Sequence, residues 1–190
     1  MPMPGVFSAI NTRLQTPLVE KNLRAISRNL PDAKVINQEG WVESIRVSDT
    51  DVYIKGKYDL LAEKSDASFV LVDLKISQPN DDKVDIYKSQ LGAYKFALEN
   101  PARGKGMKIS QLGLLIFYPD KVAFEEGIAK FDFPPTWLEV PIDDKAFLKF
   151  IKEVDELLHG AMPEEGKDCK WCKYRHLGEE LSHISPIETP

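Results

Sequence analysis

Cysteine is nearly absent from this chain: there are two, Cys169 and Cys172, in a single Cys-x-x-Cys. A disulfide framework needs more of them and an oxidising compartment, so the small disulfide-stapled scaffolds are excluded. Histidine is just as scarce, with His159, His176 and His183 alone, and the early chain has none. Long apolar runs are missing too. The longest, Phe69 to Val72 and Leu112 to Phe117, fall far short of a bilayer span, so no membrane association is expected. The N-terminal Met1-Pro-Met-Pro-Gly has no basic region leading into an apolar one, so no signal peptide is expected and the cytoplasm is the expected location. Nor is there an excess of positive charge to advertise a nucleic-acid binder, since the formal net charge is -5. Charge is unevenly spread, however. Residues 1–34 hold Arg13, Lys21, Arg24, Arg28 and Lys34 against only Glu20 and Asp32, which fits a basic face as well as it fits an ordinary solvated helix surface.

What is present is the composition of a globular protein: 43% hydrophobic and 29% charged residues over 190 positions, enough for one domain with a real core. Apolar residues recur at helical spacing early in the chain, Pro17 interrupts them, and the pattern predicts a helix over 18–29 closed by Pro31 and Asp32. Three strands are predicted next: Trp41 to Val47, with one slip in its alternation, Val52 to Leu61, and Phe69 to Ile76. The last is apolar almost throughout, as a central strand buried on both faces would be. The short link from Lys64 to Ala67 favours an antiparallel hairpin. Asp81 and Asp82 offer caps for a helix over 83–99, with Val84, Tyr87, Leu91, Tyr94 and Leu98 on one stripe. Gln111 to Tyr118 reads as a fourth strand, with shorter ones at 127–133 and 137–140 and an amphipathic helix over 143–159. The last thirty residues read as polar and irregular, ending in a flexible tail. The predicted architecture is a mixed α/β domain over residues 1–160, a central mixed β-sheet flanked by helices, followed by a cysteine-bearing segment over 161–190.

Two charged interruptions stand out against this apolar frame. Asp59 breaks a strand-like stretch, and Asp73 and Lys75 break the end of the most hydrophobic one. Side chains two apart on a strand share a face, so Asp73 and Lys75 project together. Charges in such a place are costly unless paired or metal-bound. In a hairpin, Asp59 can lie across from Asp73, gathering two carboxylates and an ammonium at one edge of the sheet. Two carboxylates can hold a hard divalent cation, and the lysine can position or deprotonate a water or stabilise charge on a phosphate. An isolated Asp-x-Lys is also the pattern of an ordinary exposed salt bridge, so these residues gain weight only from what surrounds them.

The surroundings resemble the PD-(D/E)XK nuclease superfamily, in particular its RecB-like exonuclease branch. Gly56-Lys57-Tyr58-Asp59 is similar to that branch's Gly-x-x-Asp, and Val72-Asp73-Leu74-Lys75, fourteen residues on, to its apolar-(Asp/Glu)-x-Lys strand. Gln90-Leu91-Gly92-Ala93-Tyr94 resembles its Gln-x-x-x-Tyr helix motif, and Glu43 an acidic residue often found before the first motif. The resemblance runs from about residue 40 to 100, with an echo at Cys169-x-x-Cys172. It implies a restriction-endonuclease-like core and a metal-dependent nuclease acting on DNA with Mg²⁺ or Mn²⁺. By position it implies metal binding by Asp59, Asp73 and the Leu74 carbonyl, catalysis by Lys75, and site roles for Gln90 and Tyr94. Relatives often add an upstream acid, for which Glu20 is the candidate, although Glu20 is equally placed to pair with Arg24 at i+4. Arg24, Arg28, Lys88, Arg103 and Lys105 are the candidate nucleic-acid contacts.

The cysteine-bearing end departs from the pattern. Many relatives hold an iron–sulfur cluster on four cysteines, and with two the chain cannot do so alone. Cys169, Cys172, His176 and His183 leave a small Zn²⁺ site as an alternative, and a redox role is disfavoured because no helix start is predicted there. The leading functional expectation is a DNA nuclease, an exonuclease of a repair, recombination, phage or CRISPR setting, working alone, as a homo-oligomer or in a complex. The competing expectation is a catalytically silent nucleic-acid-binding or scaffold module of the same fold. A phosphodiesterase acting on RNA is a third.

Overall fold

The most apolar segment of the sequence lies at the centre of the molecule. In the computed structural model, which describes residues 5–182, the elements in chain order are α1 Gly5–Gln15, β1 Lys34–Arg46, β2 Tyr53–Glu63, β3 Phe69–Ile76, α2 Asp82–Glu99, β4 Ile109–Phe117, β5 Val122–Glu125, β6 Ile128–Phe131, β7 Pro135–Val140, α3 Asp144–His159 and α4 Lys170–Ser182. The chain divides into two compact units, Met1–Lys152 and Glu153–Pro190. The first holds a five-stranded sheet in the order β1-β2-β3-β4-β7. β1, β2 and β3 form an antiparallel meander, β3 and β4 are parallel, and β7 returns antiparallel on β4. A parallel pair cannot be joined by a tight turn, and α2 supplies the crossover. β5 and β6 form a separate hairpin.

Both faces of the sheet are covered. On one, Leu18, Leu23, Leu30 and Val35 pack with Leu60, Val70, Val72 and Leu74; on the other, Leu91, Ala97 and Leu98 of α2 pack with Leu61, Leu71, Leu112, Leu114 and Ile116. Because β3 is sandwiched, its alternate residues feed opposite cores, which is why it lacks a polar face. This is the mixed α/β architecture with a central sheet flanked by helices that the sequence predicts.

The slip in alternation near Ser44 is a real irregularity: the β1–β2 register shifts between Glu43 and Arg46. Ser44 is buried there, its Oγ accepting the Ile54 amide at 2.8 Å and donating to the Ile45 carbonyl at 2.6 Å.

Three expectations are corrected. No helix spans 18–29. Pro17 lies in a 3-10 turn, Thr16–Leu18, and Glu20 then takes a positive φ of 68°. Residues 20–23 run instead beside the start of β1, with Glu20 N donating to Val35 O, Val35 N to Lys21 O and Leu23 N to Ala33 O. Strand-like pairing has claimed the backbone groups that the helix needed. At the start of α2, Asp81 makes no side-chain cap, and Asn80 Oδ1 accepts the Asp82 amide at 3.0 Å. Finally, residues 170–182 of the expected irregular segment form α4, whose Lys, Arg, Glu and Leu residues are good helix formers. Cys169 stands just before it, its Sγ accepting the Cys172 amide at 3.4 Å, so the Cys-x-x-Cys does open a helix.

Candidate active site

The site lies where β2 and β3 part. Their pairing ends at Leu60↔Val72. Tyr58 packs on the α2 side and Leu60 on the opposite side, although residues two apart on a regular strand share a face. The strand therefore twists over at Asp59, and Glu39 on the neighbouring β1 has a positive φ of 51° at the same level. With the backbone ladder ended, Asp59 Oδ2 accepts the Leu74 amide at 2.8 Å and ties β2 to β3 through a side chain.

Asp73 and Lys75 do share a face of β3. Asp73 is only 4% exposed, and Gln90 of α2 donates Nε2–H to its Oδ1 at 2.9 Å. Lys75 Nζ lies 2.7 Å from Asp73 Oδ2. That ion pair is the partner of Oδ2, which is otherwise buried. The same ammonium lies 4.4 Å from the centre of the Tyr87 ring, a cation–π contact. Tyr94 lies across Gly56: a Cβ there would come within 2.7 Å of its ring, so the glycine is what lets helix and strand close up. The Lys57 amide lies near the Tyr94 hydroxyl.

The electrostatics follow from burial and crowding. Asp59 is raised from 3.8 to about 6, first by burial and then by the charge of Asp73, with the Leu74 amide and Lys75 pulling back only in part. Burial likewise raises Asp73 against the opposing pull of Lys75 and Gln90. For Lys75, burial works downward, but Asp73 outweighs it and the ammonium is held above its ordinary range. Burial, Asp73 and Asp59 together raise the Tyr94 phenol.

Two crowded, buried carboxylates suit a hard divalent cation. Among the described residues no group of three or more His, Cys, Asp or Glu side chains is arranged to hold a metal ion. A cation at this site would thus rest on Asp59, Asp73 and main-chain oxygen such as that of Leu74, with water and substrate completing its shell. Mg²⁺ accepts that kind of set.

Asp59, Asp73, Lys75, Gln90 and Tyr94 are therefore brought together, as the motifs imply. Glu20 is not. It pairs with Lys34 beside the far end of β2, where Lys34 faces Glu63. Arg24 and Arg28 flank the β2–β3 turn around Lys64 and Asp66, also at the far end, and Arg24 is paired with Asp32 at 3.3 Å. Lys88 Nζ lies 3.5 Å from Asp143 Oδ2, and Glu43 pairs with Lys55 at 3.2 Å. The zinc set does not assemble among the described residues: His176 is held by Glu165 at 2.6 Å, and His183 lies outside them. Sequence reasoning overlooked Tyr87, which seats the Lys75 ammonium; its place one turn before Gln90 on the same stripe was the available signal. It also overlooked Lys95, buried on α2 between Glu99 at 2.7 Å and Asp144 at 2.8 Å.

The family model of the PD-(D/E)XK nuclease superfamily matches residues 6–177. No curated protein matches the chain significantly. A solved structure described as "Crystal structure of SSO0001" is similar at a TM-score of 0.49 and 15% identity, over 90% of this chain and 68% of that one.

Proposed function

As the chain belongs to the PD-(D/E)XK nuclease superfamily, we propose that it is a divalent-metal-dependent nuclease that hydrolyses DNA phosphodiester bonds, an exonuclease of the RecB-like kind. The observation that carries this reading is the convergence of Asp59, Asp73 and Lys75 where β2 and β3 separate, with Gln90 on Asp73.

Asp59 and Asp73 would hold the cation, which when bound would supply Lewis acidity to a phosphodiester and lower the pKa of an attacking water. The Leu74 amide fixes Asp59, and Gln90 fixes Asp73, so neither carboxylate can swing away when substrate arrives. With its pKa raised by Asp73, Lys75 is a cation at neutral pH and acts on the negative charge that builds on the phosphate rather than as a base. Tyr94, packed across Gly56 of β2, lies near both carboxylates at the same corner.

The test is cleavage of end-labelled single- and double-stranded DNA with Mg²⁺, Mn²⁺ or EDTA, beside Lys75→Ala. Metal-dependent cutting by the wild type that is lost in a folded Lys75→Ala variant is expected, and the product ladder reports exonuclease or endonuclease action. Wild-type rates in that variant would refute the mechanism. No cutting by folded wild type with either metal would leave the catalytically silent binding module as the better reading.

A further inference from the structure

Outside the carboxylate site, one cavity combines an exposed aromatic ring with two cations that make no ion pair among the described residues. A groove of about 440 Å³ runs along the outer edge of β1, between Trp41, Val42 and Tyr58 on one side and the loop over 101–107 with the end of α2 on the other. Asp59, Asp73 and Lys75 do not line it. Its floor is apolar: Tyr58 is buried across Gly40, where a Cβ would come within 2.2 Å of the ring.

The loop is held in place. Asn100 O accepts from Ile45 N, Ala102 N donates to Glu43 O, and Met107 N donates to Leu98 O. Gly106 sits so close to the Glu99 carbonyl that a Cβ would come within 2.2 Å of it. Above this floor Trp41 is 74% exposed. Arg103 and Lys105 line the same groove and make no ion pair among the described residues. The acid beside them, Glu43, is already engaged by Lys55. An aromatic face flanked by unspent cations on a fixed loop suits an unpaired nucleobase and its neighbouring phosphates. A duplex, whose bases are stacked on each other, has no such face to offer.

We propose that this groove binds single-stranded nucleic acid, with one base stacked on Trp41 and the adjoining phosphates taken by Arg103 and Lys105. The proposal rests on the nuclease reading and names its substrate class. Tyr58, which walls the groove, directly precedes Asp59 in β2, so groove and carboxylates share that strand.

The test is binding of the full chain in EDTA, followed by fluorescence anisotropy, to a labelled oligothymidylate, an abasic strand of equal length and a duplex. The oligothymidylate should bind tightest. Trp41→Ala should weaken it about tenfold, abolish its advantage over the abasic strand and leave the melting temperature unchanged, while Trp41→Phe restores binding. Arg103→Ala with Lys105→Ala should weaken both single strands and flatten the salt dependence by about 1.4 in log–log slope. Abasic strand binding as well as oligothymidylate, or wild-type binding by Trp41→Ala, would overturn the proposal, as would equal affinity for duplex. Because EDTA removes turnover, tight single-strand binding without cleavage in Mg²⁺ would sink the nuclease reading and leave the groove standing. Cleavage that persists with no contribution from Trp41 would do the reverse.

Discussion

Asp59→Asn should stabilise the metal-free protein. Burial and Asp73 raise the Asp59 carboxyl from 3.8 to about 6. A carboxyl raised in the folded state holds its proton more tightly there than in the unfolded chain. The folded state is therefore favoured most below pH 3.8 and loses that advantage as pH rises toward 6. A shift of about two units corresponds to about 3 kcal/mol at neutral pH, taking 1.36 kcal/mol per unit. Asparagine removes the charge and keeps an oxygen to accept the Leu74 amide, so most of that penalty should be recovered. For a chain of this size the gain corresponds to roughly 5–10 °C in melting temperature. Calorimetric scans of wild type and variant in EDTA, from about pH 4.5 to about pH 7.5, report Asp59 with its coupled neighbours Asp73, Lys75 and Tyr94, because titrating groups that do not interact with Asp59 cancel in the difference. The gap should be largest at the upper end and shrink to about 1 kcal/mol at about pH 4.5. With Mg²⁺ the order should reverse, since wild type gains binding energy that the variant cannot. A variant that melts at or below wild type at neutral pH in EDTA, or whose advantage does not change with pH, would refute the claim that a crowded, buried charge sits at this position.

Gln90→Ala should leave the fold intact but release Asp73 Oδ1 from its hydrogen bond, lowering Mn²⁺ affinity or turnover by about 10–100-fold in a calorimetric titration or a cleavage assay. Gly56→Ala pushes a methyl into the Tyr94 ring and should cost about 1–3 kcal/mol in denaturant unfolding. Combining it with Tyr94→Ala should cost less than the sum of the two changes, and strict additivity would show that the ring can move aside freely. Glu20→Ala should leave metal affinity and cleavage unchanged, because Glu20 is engaged by Lys34 away from the carboxylates; a tenfold loss of metal affinity would place it at the site after all.

Much of the fold was legible because β3 and α2 carry strong, long-range patterns. An eight-residue segment that is apolar except for Asp73 and Lys75 has few alternatives to a doubly covered strand, and the stripe from Val84 to Leu98 has one buried side. The failures came where local pattern competes with a partner far off in sequence. Leu18, Leu23, Ile26 and Leu30 do face a core, as helical spacing suggests, but their backbone is pinned to Ala33 and Val35 and can make only short 3-10 turns. At α4 the opposite happened: good helix formers were obscured by an irregular, polar composition with no apolar stripe to reveal the period.

Asp59 shows why the site was only partly legible. Motif spacing could set it beside Asp73, but not show that its carboxylate replaces a ladder bond at the point where two strands separate. That replacement has a consequence for function. A carboxylate that holds the strands together through one oxygen and faces its neighbour with the rest cannot relax away from Asp73, so the repulsion between them is maintained by the fold. A divalent cation relieves that repulsion, and metal binding and local stability are thereby coupled at one residue. Lys75 cannot serve in place of the cation. Its ammonium neutralises one of two carboxylates and is committed to Asp73 Oδ2 and the Tyr87 ring. The metal-free site is thus one positive charge short, a deficit that a divalent cation would make good.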